Sequence, residues 1–401
     1  KEENPEEKLE MPRSGEALFL EELGKAAEGE MNPLFEELYR WYAAHPEAGI
    51  PAETYRKAAF LRCADGVIGR SAASALYGDT LKNSATRLEK YAACAFAHFM
   101  EFGLQIRERD QYELKAVDMG TVMHEALEKF SKKLQENGET WKTVGDDTRD
   151  RLIEECVEET MADYGNTIFQ SSSRNQYRII RVKRILKRTV WALQQQIRQG
   201  EFEPGEFEVS FSMEDSLSAI NIDLSEHEKM RLRGRIDRVD LCETDDKVYV
   251  KIIDYKTGNT SLDLVALYYG LQLQLAVYLD AAVELEQKKH PGKLVEPAGV
   301  FYYHIDDPII DQEEDETDEA WGRRMLKALR MDGLVNADRK VVELLDRVLA
   351  DGTTSDVIPV GKKKDGSYTG YSKVASSEQF NVIRTYTRKK VREIGEGIFS
   401  G

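Results

Sequence analysis

Apolar residues recur at helical spacing along several stretches of the chain. Val122, Met123, Ala126, Leu127 and Phe130 form one such stripe and predict a helix over about 117–137. The same spacing predicts helices over 148–164, 174–199 and 262–287. Asn83-Ser84 is a good N-cap pair for a helix over about 85–101, after the Gly78-Asp79 turn. Residues 31–77 read as helical, broken at His45-Pro46 and Ile50-Pro51. Period-two alternation of Phe207, Val209, Phe211 and Met213 predicts a strand over 206–213. Further strands are expected over about 230–242, 247–255 and 298–305. Residues 1–30 are Glu-rich and read as partly disordered. The stretch 306–319 holds nine acids and no base and reads as a solvated loop. The order helix, strand, strand, strand, helix, strand implies a mixed α/β core with helices on both sides.

The length of 401 residues allows more than one domain, and the expected division is 1–77 and 78–401. No apolar run reaches about 18 residues, so no membrane span is expected. The acidic start lacks a signal-peptide core and an initiator Met, so a fragment of a longer protein is expected. A net charge of −17 argues against a simple nucleic-acid coat protein. It leaves open an enzyme whose groove is locally different. Cys63, Cys94, Cys156 and Cys242 lie far apart without a CxxC pair, so neither a zinc site nor a disulfide framework is expected. A reducing cytoplasm is the expected compartment.

The chemistry concentrates in Gly234-Arg-Ile-Asp237-Arg-Val-Asp240 and Ile252-Ile-Asp254-Tyr-Lys256-Thr-Gly258. Side chains alternate faces in a strand, so Asp254 and Lys256 share one face and Tyr255 takes the other. A hairpin then brings Asp237 within reach of the same face. Two carboxylates and an ammonium suit phosphodiester hydrolysis. Hard oxygen ligands hold Mg²⁺, the ion activates a water, and a lysine stabilises the charge that develops. The competing reading is a surface hairpin with an ordinary salt bridge. His124, mid-helix in Gly120-Thr-Val-Met-His124, is a possible imidazole ligand. Gln274 and Tyr278 fall on one helical face at i, i+4.

His124, Asp237, Asp254-x-Lys256 and Gln274-xxx-Tyr278, in this order, resemble the RecB-type branch of the PD-(D/E)xK nucleases. The resemblance implies a restriction-endonuclease-like mixed sheet flanked by helices. It also implies that His124, Asp237, Asp254 and the Tyr255 carbonyl bind Mg²⁺, with Mn²⁺ as a substitute. Lys256 would be catalytic, and Gln274 and Tyr278 would support the site. Ala75-Leu-Tyr-Gly78, Ser84 to Phe99 around Cys94, and Met119 to His124 are similar to the AddB-type subunits of the AddAB helicase–nucleases. That likeness runs from about residue 76 to the end. It implies a bacterial cytoplasmic protein that processes DNA ends in break repair. Its substrate would be DNA, single-stranded or at duplex ends, and its partner an AddA-like subunit. In that family the cysteine matching Cys94 is one of four ligands of a [4Fe–4S] cluster. The other three follow the nuclease core, beyond Gly401. Ala95 stands where the family often has Pro. With one ligand of four, no cluster is expected in this chain, and the tail around 386–401 is expected to be mobile or docked by packing alone. Residues 1–75 would be the tail of a helicase-like portion; they hold no GxxxxGK[ST].

Arg174, Arg178, Arg181, Arg184 and Arg188 fall on one stripe of the 174–199 helix and are a candidate phosphate track. The bland alternative is a solvated face paired with acids. Two other functional readings compete with a metal-dependent DNA exonuclease: a non-catalytic DNA-binding or scaffold module of this fold, and a stand-alone nuclease.

Overall fold

A computed structural model describes residues 12–29, 33–48, 51–60, 66–109, 116–163, 172–211, 217–311 and 316–400. Two compact units divide between Val67 and Ile68. The first contains α1 (Pro12–Glu28), α2 (Pro33–Ala44) and α3 (Ala52–Ala59). Leu18, Phe19, Leu23, Phe35, Leu38 and Tyr42 form its small core, and the Phe19 and Phe35 rings stack at 5.7 Å. The Glu-rich start is therefore helical from Pro12 onward, because its apolar positions have a partner to pack on. Residues 1–11 lie outside the described residues.

The second unit opens with α4 (Arg70–Tyr77), which the expected division at Gly78 places in the first. There follow β1 (Thr80–Asn83), α5 (Ala85–Ala93), α6 (Ala95–His98), α7 (Ala116–Glu136), α8 (Asp146–Asp163) and α9 (Ser173–Gln199). Next come β2 (Glu203–Phe211), β3 (Asn221–Asp223), β4 (Lys229–Leu232), β5 (Gly234–Glu243), β6 (Lys247–Lys256), α10 (Leu264–Tyr268), α11 (Gln274–Lys289) and β7 (Leu294–His304). The chain closes with α12 (Asp318–Ala328), β8 (Asp332–Asn336), α13 (Arg339–Leu345), β9 (Val374–Ala375) and α14 (Ser377–Ser400).

The main sheet runs β2-β5-β6-β7-β8-β9. β6 pairs antiparallel with β5 and parallel with β7, so the sheet is mixed, as expected. β6 is covered on both faces, which is why it reads as a nearly continuous apolar run. Val248, Val250 and Ile252 enter the core shared with α5, α11 and α14. Tyr249, Ile253 and Tyr255 enter the core shared with α7, α8 and α9. A second sheet, β1-β4-β3, lies apart from this ladder.

Several elements differ from expectation for local reasons. The 85–101 helix stops at Ala93 and restarts after Cys94, which is extended (φ −163°, ψ 108°). The 262–287 helix is two helices, parted by a turn in which Gly270 takes φ +79°. The 230–242 strand is two strands, because β4 joins the small sheet and β5 the large one. Asp318 and Glu319, at the end of the acidic stretch, open α12, where carboxylates suit a helix N-terminus. The tail is held by more than packing. Val391, Ile394, Ile398 and Phe399 of α14 are buried, and Arg388 Nη2 donates to the buried Asp280 Oδ1 at 2.9 Å.

Candidate active site

The β5–β6 ladder runs from Glu243↔Val248 to Arg238↔Ile253. Beyond that pair the Asp237 carboxylate accepts directly from the Tyr255 amide, at 2.7 Å. A side chain thus stands where a carbonyl would continue the sheet, and the two strands fork. The site is built at this fork.

From one face comes α7. His124 Nδ1 lies 3.4 Å from Asp237 Oδ2, and its ring meets Tyr255 edge-on with centroids 5.8 Å apart. From the other face comes α11. Gln274 Nε2 donates to Asp254 Oδ1 (2.8 Å) and to Tyr278 Oη (3.3 Å), while Gln274 Oε1 accepts from Lys256 Nζ (2.9 Å). Lys256 Nζ also pairs with Asp254 Oδ2 at 2.5 Å. One amide therefore fixes a carboxylate and an ammonium together. Gly234 permits this packing: a Cβ there would lie 2.5 Å from Phe211 and 3.0 Å from Tyr278.

Two further residues belong to this constellation, and the sequence did not single them out. Glu89 of α5 accepts from the Leu273 amide (2.6 Å) and the Gln274 amide (2.9 Å), so it anchors the N-terminus of α11 and the side chain that α11 presents. Glu208 takes φ +49°, flanked by the pairs Phe207↔Arg238 and Val209↔Ile236. Phe207 then packs with one core and Val209 with the other, so the alternation switches at Glu208. Regular alternation would have put Glu208 on the face opposite Phe207; the irregular backbone, invisible in the pattern, brings it to Asp237. One ligand atom from each of His124, Glu208 and Asp237 lies within 4.8 Å of the others. Asp254 is not a member of this group: its oxygens are on Gln274 and Lys256, so the structure brings His124 and Asp237 together with Glu208, where the sequence had pointed to Asp254.

The electrostatics are those of crowded anions. Burial, then the Asp237 charge, pushes Asp254 up to about 6 against the pull of Lys256. Burial and Asp237 push Glu208 up to about 7, with Arg235 pulling the other way. Burial opposes the charged form of His124, but Asp237 beside it outweighs that and raises its pKa. Two carboxylates and one imidazole form an oxygen-rich donor set that fits a hard divalent cation, whose charge would relieve this repulsion.

Behind the fork lies a buried ionic cluster. Arg238 donates to Asp240 through Nε (2.6 Å) and Nη2 (2.8 Å), and Lys251 Nζ reaches Asp240 at 2.6 Å. Arg238 lies over the Trp141 ring (5.4 Å) and Lys251 over Phe202 (5.4 Å).

The other candidates fare differently. On α9, Arg184 and Arg188 pair with Asp307 (2.5 and 2.6 Å), Lys183 with Glu158, and Lys187 with Glu154 (2.5 Å). Arg178 donates to Asn175 at 3.4 Å, and Arg181 is exposed. Within the stripe Arg184 and Arg188 share one acid, Asp307, and the flanking Lys183 and Lys187 each meet a glutamate. Cys94 is exposed, with its Sγ accepting from the Ala97 amide at 3.4 Å. Cys156 and Cys242 are buried free thiols, and burial raises both pKa values. Cys63 lies outside the described residues.

The comparisons with known proteins agree with this geometry. Similar relatives, each named as the B-type member of an ATP-dependent helicase/deoxyribonuclease, come from Lachnoclostridium phytofermentans (44% identity), Alkaliphilus metalliredigens (37%) and Clostridium tetani (34%). The matches cover 93%, 92% and 100% of this chain and 32%, 32% and 35% of those proteins. The chain thus spans about a third of the length of these curated relatives. The family model described as the PD-(D/E)XK nuclease superfamily matches residues 82–400, which include the fork and every side chain arranged around it, and the chain belongs to that superfamily.

Proposed function

We propose that this chain is a Mg²⁺-dependent deoxyribonuclease, the nuclease part of a bacterial helicase–nuclease subunit that processes DNA ends in break repair and recombination. The observation that carries the reading is the forked site. His124, Glu208 and Asp237 form a cation-sized donor group, and Asp254, Lys256 and Gln274 are locked together beside it. His124, Asp237, Asp254 and the Tyr255 carbonyl are the proposed ligands, with Glu208 added from the geometry. When bound, a divalent ion supplies Lewis-acid polarisation of the phosphate and a water of lowered pKa. Gln274 and Asp254 hold the Lys256 ammonium in place, where it orients the attacking water and stabilises charge growing on the phosphoryl oxygens. Tyr278 supports Gln274 from one helical turn away. End-labelled single-stranded DNA is expected to be degraded in Mg²⁺ or Mn²⁺ and untouched in a chelator. Intact DNA under all three conditions would favour a non-catalytic scaffold instead.

The crowded carboxyls give a pH-dependent signature. Asp254 and Glu208 take up protons near pH 6 and 7, above their ordinary range. A raised carboxyl pKa favours the folded state at low pH, and that contribution is lost as pH rises through 6 to 7. A bound cation restores it, but only where the ligands are deprotonated. Millimolar Mg²⁺ or Mn²⁺ is therefore expected to raise Tm clearly at about pH 8 and little at about pH 5.5, read by scanning fluorimetry. Equal shifts at both pH values would place the ion elsewhere.

The remaining assignments follow from the relatives' names and the resemblance. The partner is proposed to be an AddA-like subunit, the compartment the bacterial cytoplasm, and residues 1–77 the tail of a helicase-like portion. Arg178, Arg181, Arg184 and Arg188 are proposed as a secondary DNA contact, with Arg181 and Arg184 exposed. Cys94 is proposed as one ligand of a [4Fe–4S] cluster in the longer parent protein. Its exposed thiol supports this, as does the close approach of α14 one turn earlier: a Cβ at Gly397 would lie 2.7 Å from Tyr91 Oη.

A further inference from the structure

The segment joining Lys256 to Gln274 begins and ends in the active site, since those two side chains are bonded to each other at 2.9 Å. Its base is tied firmly. Gln272 Oε1 accepts from the Asp263 amide (2.8 Å), and Gln272 Nε2 donates to the Ser261 carbonyl (2.8 Å). Asp263 caps α10 by accepting from the Val265 and Ala266 amides (2.7 and 3.2 Å), and the Leu262 amide donates to Asp332 (2.9 Å). Despite this order, the tip is apolar and faces solvent. Val265, Tyr268 and Tyr269 are 64%, 56% and 62% exposed, whereas Leu267 is buried. An apolar tip held outward by a polar base is suited to contact with something absent from the free chain.

The rings are oriented in advance. Tyr268 stacks flat on Tyr386 of α14, with centroids 5.3 Å apart and planes 7° apart, and Tyr386 Oη donates to the Tyr268 carbonyl at 2.8 Å. Tyr269 meets Tyr268 edge-on at 5.2 Å. Lys390 Nζ lies 5.7 Å from the Tyr386 ring centre. Tyr269 is five residues from Gln274, so the chain places it no more than about 18 Å from the catalytic cluster. Fixed aromatic faces continuous with a phosphodiesterase site match the chemistry of unpaired bases, while Lys390 is itself paired with Glu393 at 2.8 Å. Bases inside a duplex have no free faces to offer.

We propose that Tyr268 and Tyr269 stack unpaired bases of the strand being cut, and so direct this site toward single-stranded nucleic acid. The proposal rests on the nuclease reading above. It is tested by fluorescence anisotropy in Ca²⁺, with an oligo-dT strand and an abasic strand of equal length, on the wild-type chain, Tyr268→Ala/Tyr269→Ala and Tyr268→Phe/Tyr269→Phe. The alanine pair is expected to bind oligo-dT at least about tenfold more weakly, since each stacked base contributes on the order of that factor or more. The phenylalanine pair should bind like wild type, and the abasic strand should bind all three proteins equally. Wild-type affinity of the alanine pair for oligo-dT would overturn the proposal. So would an equal loss on the abasic strand, which would point to backbone contacts, or unchanged DNA binding with lost binding of the helicase partner. Binding in Ca²⁺ does not depend on cleavage. A wild-type chain that shows the stacking pattern yet never cuts in Mg²⁺ would sink the nuclease reading alone.

Discussion

Lys256→Ala is expected to reduce single-turnover cleavage of single-stranded DNA by about 100-fold or more while leaving the metal-induced rise in Tm in place. The ammonium acts on charge that appears only in the transition state, and removing one such preorganised group typically costs two to three orders of magnitude. Its position supports that role, because Asp254 at 2.5 Å and Gln274 at 2.9 Å leave it little freedom. Asp254→Ala should go further, to undetectable cleavage. It removes a carboxylate that is both a proposed ligand and the partner of Lys256 and Gln274. Cleavage at the wild-type rate by both variants would mean that the chemistry happens at another site.

Asp240→Ala is expected to cost about 3–5 kcal/mol of folding stability, the range for stranding a buried charge. Arg238, Asp240 and Lys251 are all buried, and the one carboxylate answers both cations. Its loss leaves a guanidinium and an ammonium in a low-dielectric core between Trp141 and Phe202. Replacing the cluster as a whole, as Arg238→Met with Asp240→Leu and Lys251→Met, should recover most of that loss, since no charge is then left unpaired. Urea unfolding of the single and triple variants measures both effects. A single variant as stable as wild type would show that water reaches the cluster. The cluster adjoins Asp237 in β5, so the single variant should also lose cleavage activity beyond its loss of folded protein.

The residues that make the site were legible where chemistry and periodicity coincide. Asp254 and Lys256 share a face because a strand alternates, and Asp237 arrives on the neighbouring strand because a hairpin returns the chain alongside. His124, Gln274 and Tyr278 were found by resemblance and by helical spacing, and all three meet at the fork. The basic stripe on α9 was also legible, but not which of its cations and their neighbours meet acids. Asp307, Glu154 and Glu158 come from other parts of the chain, and no local pattern announces a pairing across 119 residues, as between Arg188 and Asp307.

By itself, then, the amino-acid sequence pointed to the nuclease superfamily and to most of the side chains of the proposed site, because residue types suited to metal ligation and charge stabilisation recur there at strand and helix periods. Tertiary structure alone decided how they meet. The β5–β6 ladder gives way to the Asp237–Tyr255 bond, opening the fork. The left-handed backbone at Glu208 turns a strand acid inward, and Glu89, 184 residues before Leu273, fixes the start of α11. The break between α10 and α11 leaves Tyr268 and Tyr269 in solvent where an unbroken helix was expected. Each of these depends on contacts between segments distant in the chain. Local propensity constrains a residue's own backbone and says little about which remote group will satisfy its hydrogen bonds or share its charge.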